Sequence, residues 1–174
     1  MTEDGRTVSP GSGDTGLIAL PSTAAGYHND RTKTAATFTQ IDGHPYTIPG
    51  DMATVADNGD LILLGRGSAC INTAGEKVYP EEVEEVLKTH PAVEDALVFG
   101  IDDDHYGQKV VAVVSRFAGT NEPLDNILGH ARTKLAGYKL PRAVHIVTQV
   151  PRTPVGKADY PTARELFTTS QHQN

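Results

Sequence analysis

Positive charge is scarce in this chain. Fifteen Lys and Arg stand against 22 Asp and Glu, a formal net charge of −7 over 174 residues. That excludes nucleic-acid binding through bulk positive charge, because neutralising phosphates needs clustered Lys and Arg. It does not exclude a local nucleotide site. Cysteine is nearly absent: Cys70 is the single one, so neither an internal disulfide nor a Cys-based zinc site can form. Long apolar runs are missing, and nothing approaches the length of a membrane span. The opening "MTEDGRTVSPGSGDTG" lacks the basic flank and apolar centre of a signal peptide. The expectation is a soluble, cytoplasmic chain. Its 38% hydrophobic and 21% charged residues are ordinary values that allow a core, in one ordinary domain or two small ones.

What is present falls into two parts, with a break near "GRGSAC" (65–70) and no internal repeats. The first part is turn-rich and mostly β. Residues 1–15 are turn-forming and expected to be loosely held. "GLIALPS" (16–22) is a short strand candidate, and "GYHNDRTKTAATF" (26–38) a turn entering a short helix. "GHPYTIPGD" (43–51) cannot be regular helix. "MATVADNGDLILLGR" (52–66) reads as a hairpin, with Asn58-Gly59 expected in a tight primed turn. The second part reads α-β-β-α-β-loop-α. "YPEEVEEVLKTHP" (79–91) has Pro80 at a first helical position, acids in its first turn and Val83, Val86 and Leu87 on one face. Strands follow at 92–100 and 109–117, separated by the acidic loop "IDDDHYGQ" (101–108). A second helix spans 124–137, with Leu124, Ile127, Leu128, Ala131 and Leu135 on one face. A third strand covers 142–150. After the loop "VPRTPVGKADY" (150–160), a short helix is expected around 161–168, then a frayed end, "QHQN".

Several chemistries are missing from this pattern. A phosphate-binding P-loop fails, because Pro151 stands where its first glycine belongs and Ala158 follows Lys157. There is no H-E-x-x-H and no G-x-S-x-G, and "GRGS" is not G-x-G-x-x-G. "IDDDHYG" lacks EF-hand spacing and reads as a solvated loop. Cys70 has no adjacent base and reads as a packing residue. Three residues remain. Lys157 sits on a Pro/Gly-constrained loop suited to delivering one positive charge, or it is a plain surface lysine. Asp51, at a Gly-Pro turn, is either a turn aspartate or a carboxylate that accepts hydrogen bonds from two ribose hydroxyls. Arg66 closes the same hairpin and could pin a ribose or a phosphate.

Taken in order, "GYHNDRTKTAATF", "YTIPGD", "GDLILLGRGSACINTAGEKVYPEEVE", "VFGIDDDHYGQKVVAVV", "LAGYKLPRAVHIV" and "PRTPVGKADY" resemble the C-terminal part of acyl-CoA synthetases. These belong to the adenylate-forming enzymes, with luciferase and the adenylation domains of peptide synthetases. The wording "GRGSACINTAGEKVYPEEVEE" looks most like actinobacterial fatty-acid or steroid-side-chain CoA ligases. The resemblance implies an α+β chain. Residues 1–65 would be the β-rich end of the large AMP-binding domain. Residues 66–170 would be a small mobile lid, a three-stranded sheet with flanking helices. It also implies the substrates ATP, with Mg2+ held by a part not in these residues, and CoA. Acyl-adenylate forms first, and CoA then displaces AMP as the lid turns.

Carried over residue by residue, Lys157 resembles the adenylation lysine, and Asp51 and Arg66 resemble nucleotide-binding residues. Ala74, Gly75 and Glu76 resemble the CoA-tunnel face, Tyr106 an aromatic near the CoA nucleotide, and Ser68 the hinge. The chain departs from the family's usual residues at Pro49, Ser68, Ala69, Asn72 and Ala74. The family's phosphate loop, magnesium-binding glutamate and acyl pocket are not in these residues. Three readings follow: a C-terminal ligase portion inactive alone, a lid acting in trans with a separate large domain, or a non-catalytic binding module. For residues 16–65, an exposed apolar face prone to self-association is expected.

Overall fold

The computed structural model describes residues 1–2 and 5–171. Two compact units divide the chain, Met1–Ser68 and Ala69–Asn174. Of the expected frayed end, Gln171 closes the last helix and residues 172–174 lie outside the described residues.

The first unit holds two small antiparallel sheets and one short helix. Strands β1 (Gly16–Leu17), β2 (Leu20–Pro21), helix α1 (Arg31–Thr37), β3 (Phe38–Ile41), β4 (His44–Thr47), β5 (Asp51–Val55) and β6 (Leu61–Arg66) follow in order. The sheets run β1-β5-β6 and β2-β4-β3. Asp30 starts α1, its Oδ1 accepting the Lys33 amide at 2.8 Å. The opening segment is tied down at described residues more than its turn-rich sequence suggests: Val8 is buried, and the Met1 amine donates to the Leu17 carbonyl at 2.8 Å. The unit's core is thin. Leu61, Ile62 and Leu63 are 64%, 49% and 63% exposed. Consecutive strand residues point to opposite faces, so β6 leaves both faces apolar and uncovered at this end.

The β5–β6 turn differs from the expected primed pair. Gly59 N–H donates to the Ala56 carbonyl and Ala56 N–H to the Asp60 carbonyl, both at 2.9 Å, and Gly59 has φ +87° while Asn58 keeps a negative φ. This is a three-residue loop, a type I turn followed by a left-handed glycine. Asp60 accounts for it. Asn58 spends its side chain on Asp60, donating to Oδ2 at 2.7 Å and accepting the Asp60 amide at 3.1 Å.

The second unit is built on one mixed sheet. Its elements are β7 (Ile71–Thr73), β8 (Glu76–Val78), α2 (Pro80–Lys88), β9 (Val93–Asp103), β10 (Gly107–Arg116), α3 (Leu124–Arg132), β11 (Ala143–Val147) and α4 (Tyr160–Gln171). Strand β10 is central, antiparallel to β9 and parallel to β11. The three expected strands are all present, but the sheet has five. The hairpin β7–β8 joins β10 at Thr73–Gly107. Its two-residue turn uses Ala74 (φ +52°) and Gly75 (φ +88°), and a non-glycine left-handed residue carries little turn signal in sequence. The acidic loop is shorter than expected. Strand pairing continues through Asp103 and resumes at Gly107.

Both faces of β9 and β10 are buried, which explains their unbroken apolar sequences. Ala96, Val98, Val110, Ala112 and Val114 pack with Val83 and Leu87 of α2 and Ile127 and Ala131 of α3. The alternate residues Leu97, Phe99, Val111 and Val113 pack with Ala163 and Phe167 of α4. Phe99 and Phe167 meet edge to face, ring centroids 6.0 Å apart. Pro80 opens α2 as expected, with Glu81 and Glu82 in its first turn.

Candidate functional site

Asp51 and Arg66 meet in the first unit. The β5–β6 register slips at Met52/Ala53, which leaves Leu64 without a partner and sets Asp51 opposite Arg66. Arg66 Nε lies 2.8 Å from Asp51 Oδ1, and its Nη1 donates to the Pro49 carbonyl at 3.1 Å. The guanidinium therefore holds both the carboxylate and the turn carrying Pro49. Ser68 is exposed, in the 3-10 turn Gly67–Ala69, and is the last residue of the first unit.

The other candidates lie in the second unit. Lys157 ends a tight loop. Thr153 N–H donates to the Lys157 carbonyl and Gly156 N–H to the Thr153 carbonyl, both at 2.8 Å, and Gly156 has φ +79°. This repeats the geometry of the Asn58-Gly59 loop, here with Pro154 and Val155 at its tip. Thr153 Oγ1 also accepts the Lys157 amide at 3.1 Å. The Lys157 side chain is exposed, and its ammonium makes no hydrogen bond or ion pair among the described residues.

Residues not singled out in the sequence fasten this loop at both roots. Arg152 forks onto Asp95 of β9, Nε to Oδ2 at 2.8 Å and Nη2 to Oδ1 at 2.6 Å. That pairing holds the guanidinium's pKa above its ordinary value. Past the loop, Asp159 caps α4, its Oδ1 accepting the Thr162 amide at 3.2 Å. Tyr160 then donates its hydroxyl to Glu84 Oε1 at 3.0 Å, and the same oxygen accepts the Val98 amide at 2.8 Å. Glu84 is buried, and burial pushes its carboxyl up to about 7 against the pull of the Val98 N–H and the Tyr160 O–H. Tyr160 is raised too, by burial and then by the Glu84 charge, so it stays a protonated donor. A Glu inside an amphipathic helix and an Arg after a Pro look like surface residues. Only the partners reveal them.

Ala74, Gly75, Glu76 and Tyr106 come together at the far end of the sheet. The Ala74 amide donates to the Tyr106 carbonyl at 2.8 Å, which joins the β7–β8 turn to the β9–β10 turn. Asp103 Oδ1 shapes the latter by accepting the His105 and Tyr106 amides at 3.0 and 3.1 Å, and these amides hold its carboxyl below the usual range. Arg142 lies over the Tyr106 ring, 3.9 Å from guanidinium carbon to centroid. Asp95, at the root of the lysine loop, and Asp103, at this turn, are eight residues apart on β9. An extended strand separates them by roughly 26 Å. The lysine and the 74–76 turn therefore sit at opposite ends of one sheet. Among the described residues no three His, Cys, Asp or Glu cluster as a metal site, and no helix is long and apolar enough to cross a membrane.

Comparison with known proteins agrees with this architecture. The family profile of the AMP-binding enzyme C-terminal domain matches residues 82–157. A 3-oxocholest-4-en-26-oate–CoA ligase of Rhodococcus rhodochrous is 49% identical over 95% of this chain and 30% of its own length. A medium/long-chain-fatty-acid–CoA/3-oxocholest-4-en-26-oate–CoA ligase of Mycobacterium tuberculosis is also 49% identical, over the same shares. Among solved structures, the amide bond synthetase McbA of Marinactinospora thermotolerans superposes with a TM-score of 0.81 at 31% identity, covering 95% of this chain and 33% of that one.

Proposed function

Because this chain belongs to the AMP-binding, adenylate-forming enzymes through the C-terminal domain that its residues 82–157 match, we propose that it is the C-terminal portion of an ATP-dependent acyl-CoA ligase. The chain spans 30% of the length of the curated relatives it matches. In the first half-reaction a carboxylate oxygen attacks the α-phosphorus of ATP, acyl-adenylate forms and pyrophosphate leaves. In the second the CoA thiolate attacks the acyl carbon, the thioester forms and AMP leaves. The names of the relatives support a fatty-acid or steroid-side-chain carboxylate as the substrate class.

Lys157 serves the first half-reaction. One anion must attack another there, and an ammonium between carboxylate and phosphate offsets the repulsion. Asp51 takes the ribose hydroxyls and Arg66 holds it in place. Ala74, Gly75, Glu76 and Tyr106 serve the second half-reaction by lining the path of the CoA arm. The observation that carries this reading is the roughly 26 Å along β9 between the root of the lysine loop and the CoA-side turn. One rigid sheet cannot bring both ends to one reacting carbon, so the unit must turn between steps, with Ser68 as the hinge.

ATP–pyrophosphate exchange tests the assignment. The 174-residue chain alone is expected to catalyse none with any fatty acid, and exchange above background overturns the view that it holds only part of the site. Joined to the large domain of a relative, Lys157→Ala should lower exchange by about 100-fold or more while sparing thioester formation from supplied acyl-AMP. Equal loss of both activities removes the role given to Lys157.

A further inference from the structure

We infer that Glu84, Tyr160, Asp95 and Arg152 are positioning residues for Lys157, an inference that rests on the adenylation role proposed above. A lysine side chain has four rotatable carbons and an ammonium that finds no partner among the described residues. Its aim is set by its backbone. The loop bearing it has an exposed tip, with Val155 78% exposed, so its position depends on its roots. One root is the Arg152–Asp95 fork and the other the Tyr160–Glu84 bond.

The second root is unusual. Strand β9 pairs only with β10 among the described residues, so its outer edge presents the Val98 N–H. Glu84 reaches that edge from α2, on one face of the sheet, and Tyr160 reaches it from α4, on the other face. One carboxyl oxygen thus ties the edge strand, both helical layers and the loop exit. Capping the Val98 amide would need only one neutral acceptor. A buried carboxyl is weak evidence for stability alone, since apolar replacements are often neutral or better. What it adds is a fixed point for Tyr160, three residues after Lys157.

Amide hydrogen exchange on the 174-residue chain tests this without needing activity. The probes are Thr153, Gly156 and Lys157, whose N–H groups close the loop, with Val111 and Val113 of the buried core as internal reference. Tyr160→Phe keeps the ring and removes the hydroxyl, and Arg152→Lys keeps the charge and removes the fork. Each is expected to speed exchange of the three loop amides about tenfold and leave the core pair unchanged. At pH 5, Glu84→Gln retains a neutral acceptor for both donors and its loop amides should exchange as the parent's do, while the loop amides of Glu84→Ala should match those of Tyr160→Phe. Unaltered loop exchange in Tyr160→Phe and Arg152→Lys overturns the inference, as does equal acceleration of loop and core, which marks a purely structural role. Because Lys157 is intact in every variant, these outcomes do not depend on whether Lys157→Ala affects adenylation. In the rejoined enzyme, Tyr160→Phe should lower the exchange kcat and spare thioester formation, whereas general destabilisation would lower both.

Discussion

Asp51 and Arg66 face each other across a bulged hairpin, Oδ1 to Nε 2.8 Å apart. The pair is partly in water, the Arg66 side chain 58% and the Asp51 side chain 30% exposed, and such surface ion pairs contribute about 1 kcal/mol or less. Asp51→Ala should therefore leave the unfolding free energy of the first unit, measured by urea titration, within about 1 kcal/mol of the parent. In the rejoined enzyme the same change should raise the KM for ATP about tenfold or more, through loss of a charged acceptor. A large stability loss with unchanged KM would reassign the pair to folding.

Exposed apolar strand surface invites association. Leu61, Ile62 and Leu63 lie on β6, which pairs only with β5 among the described residues. Such an edge can pair with another chain. The 174-residue chain should sediment as a concentration-dependent mixture, and Leu61→Lys combined with Leu63→Lys should shift it toward monomer. A parent that is monomeric at every concentration counts against this.

Glu84 sets a pH dependence. Its carboxyl titrates near 7 in the folded chain against an ordinary 4.5, chiefly through burial. The folded form thus binds its proton more tightly than the unfolded chain does. That contribution is fully present below about 4.5 and is lost as pH rises to about 7. Its span is about 3 kcal/mol at most. Protection of Val111 and Val113, corrected for intrinsic exchange, should fall between pH 5 and pH 7.5 more in the parent than in Glu84→Gln. Parallel profiles would remove Glu84 as the source.

How much of this was legible in sequence follows the range of each interaction. Pro80 with its following acids marked the start of α2, and the apolar runs at 92–100 and 109–117 marked two strands buried on both faces. Those signals are local. Asn58-Gly59 marked a turn but not its type, because the neighbouring Asp60 engages the Asn58 side chain. The hairpin at 71–78 escaped because Ala74 takes a conformation that sequence assigns to glycine or asparagine. Lys157 was visible through its Pro/Gly frame and motif. Its moorings were not, since Arg152 and Asp95 are 57 residues apart and Tyr160 and Glu84 are 76 apart. Nothing local distinguishes such residues from solvated ones until the sheet brings them together.

The Ala74-Gly75 turn yields the last prediction. Ala74 sits at φ +52°, a left-handed conformation that costs a non-glycine residue roughly 1–2 kcal/mol. Gly75, at φ +88°, has open space where a Cβ would stand, so Gly75→Ala meets strain without a clash. Ala74→Gly removes strain but frees the unfolded chain, and the two effects oppose each other. The net change should be within about 1 kcal/mol of zero and favour the glycine variant. Gly75→Ala should destabilise the second unit by about 1 kcal/mol. In the rejoined enzyme it should also raise the KM for CoA, because the added methyl stands on the proposed path of the CoA arm, and leave pyrophosphate exchange unchanged. A Gly75→Ala enzyme impaired equally in both half-reactions would place the turn in the fold rather than on the CoA path.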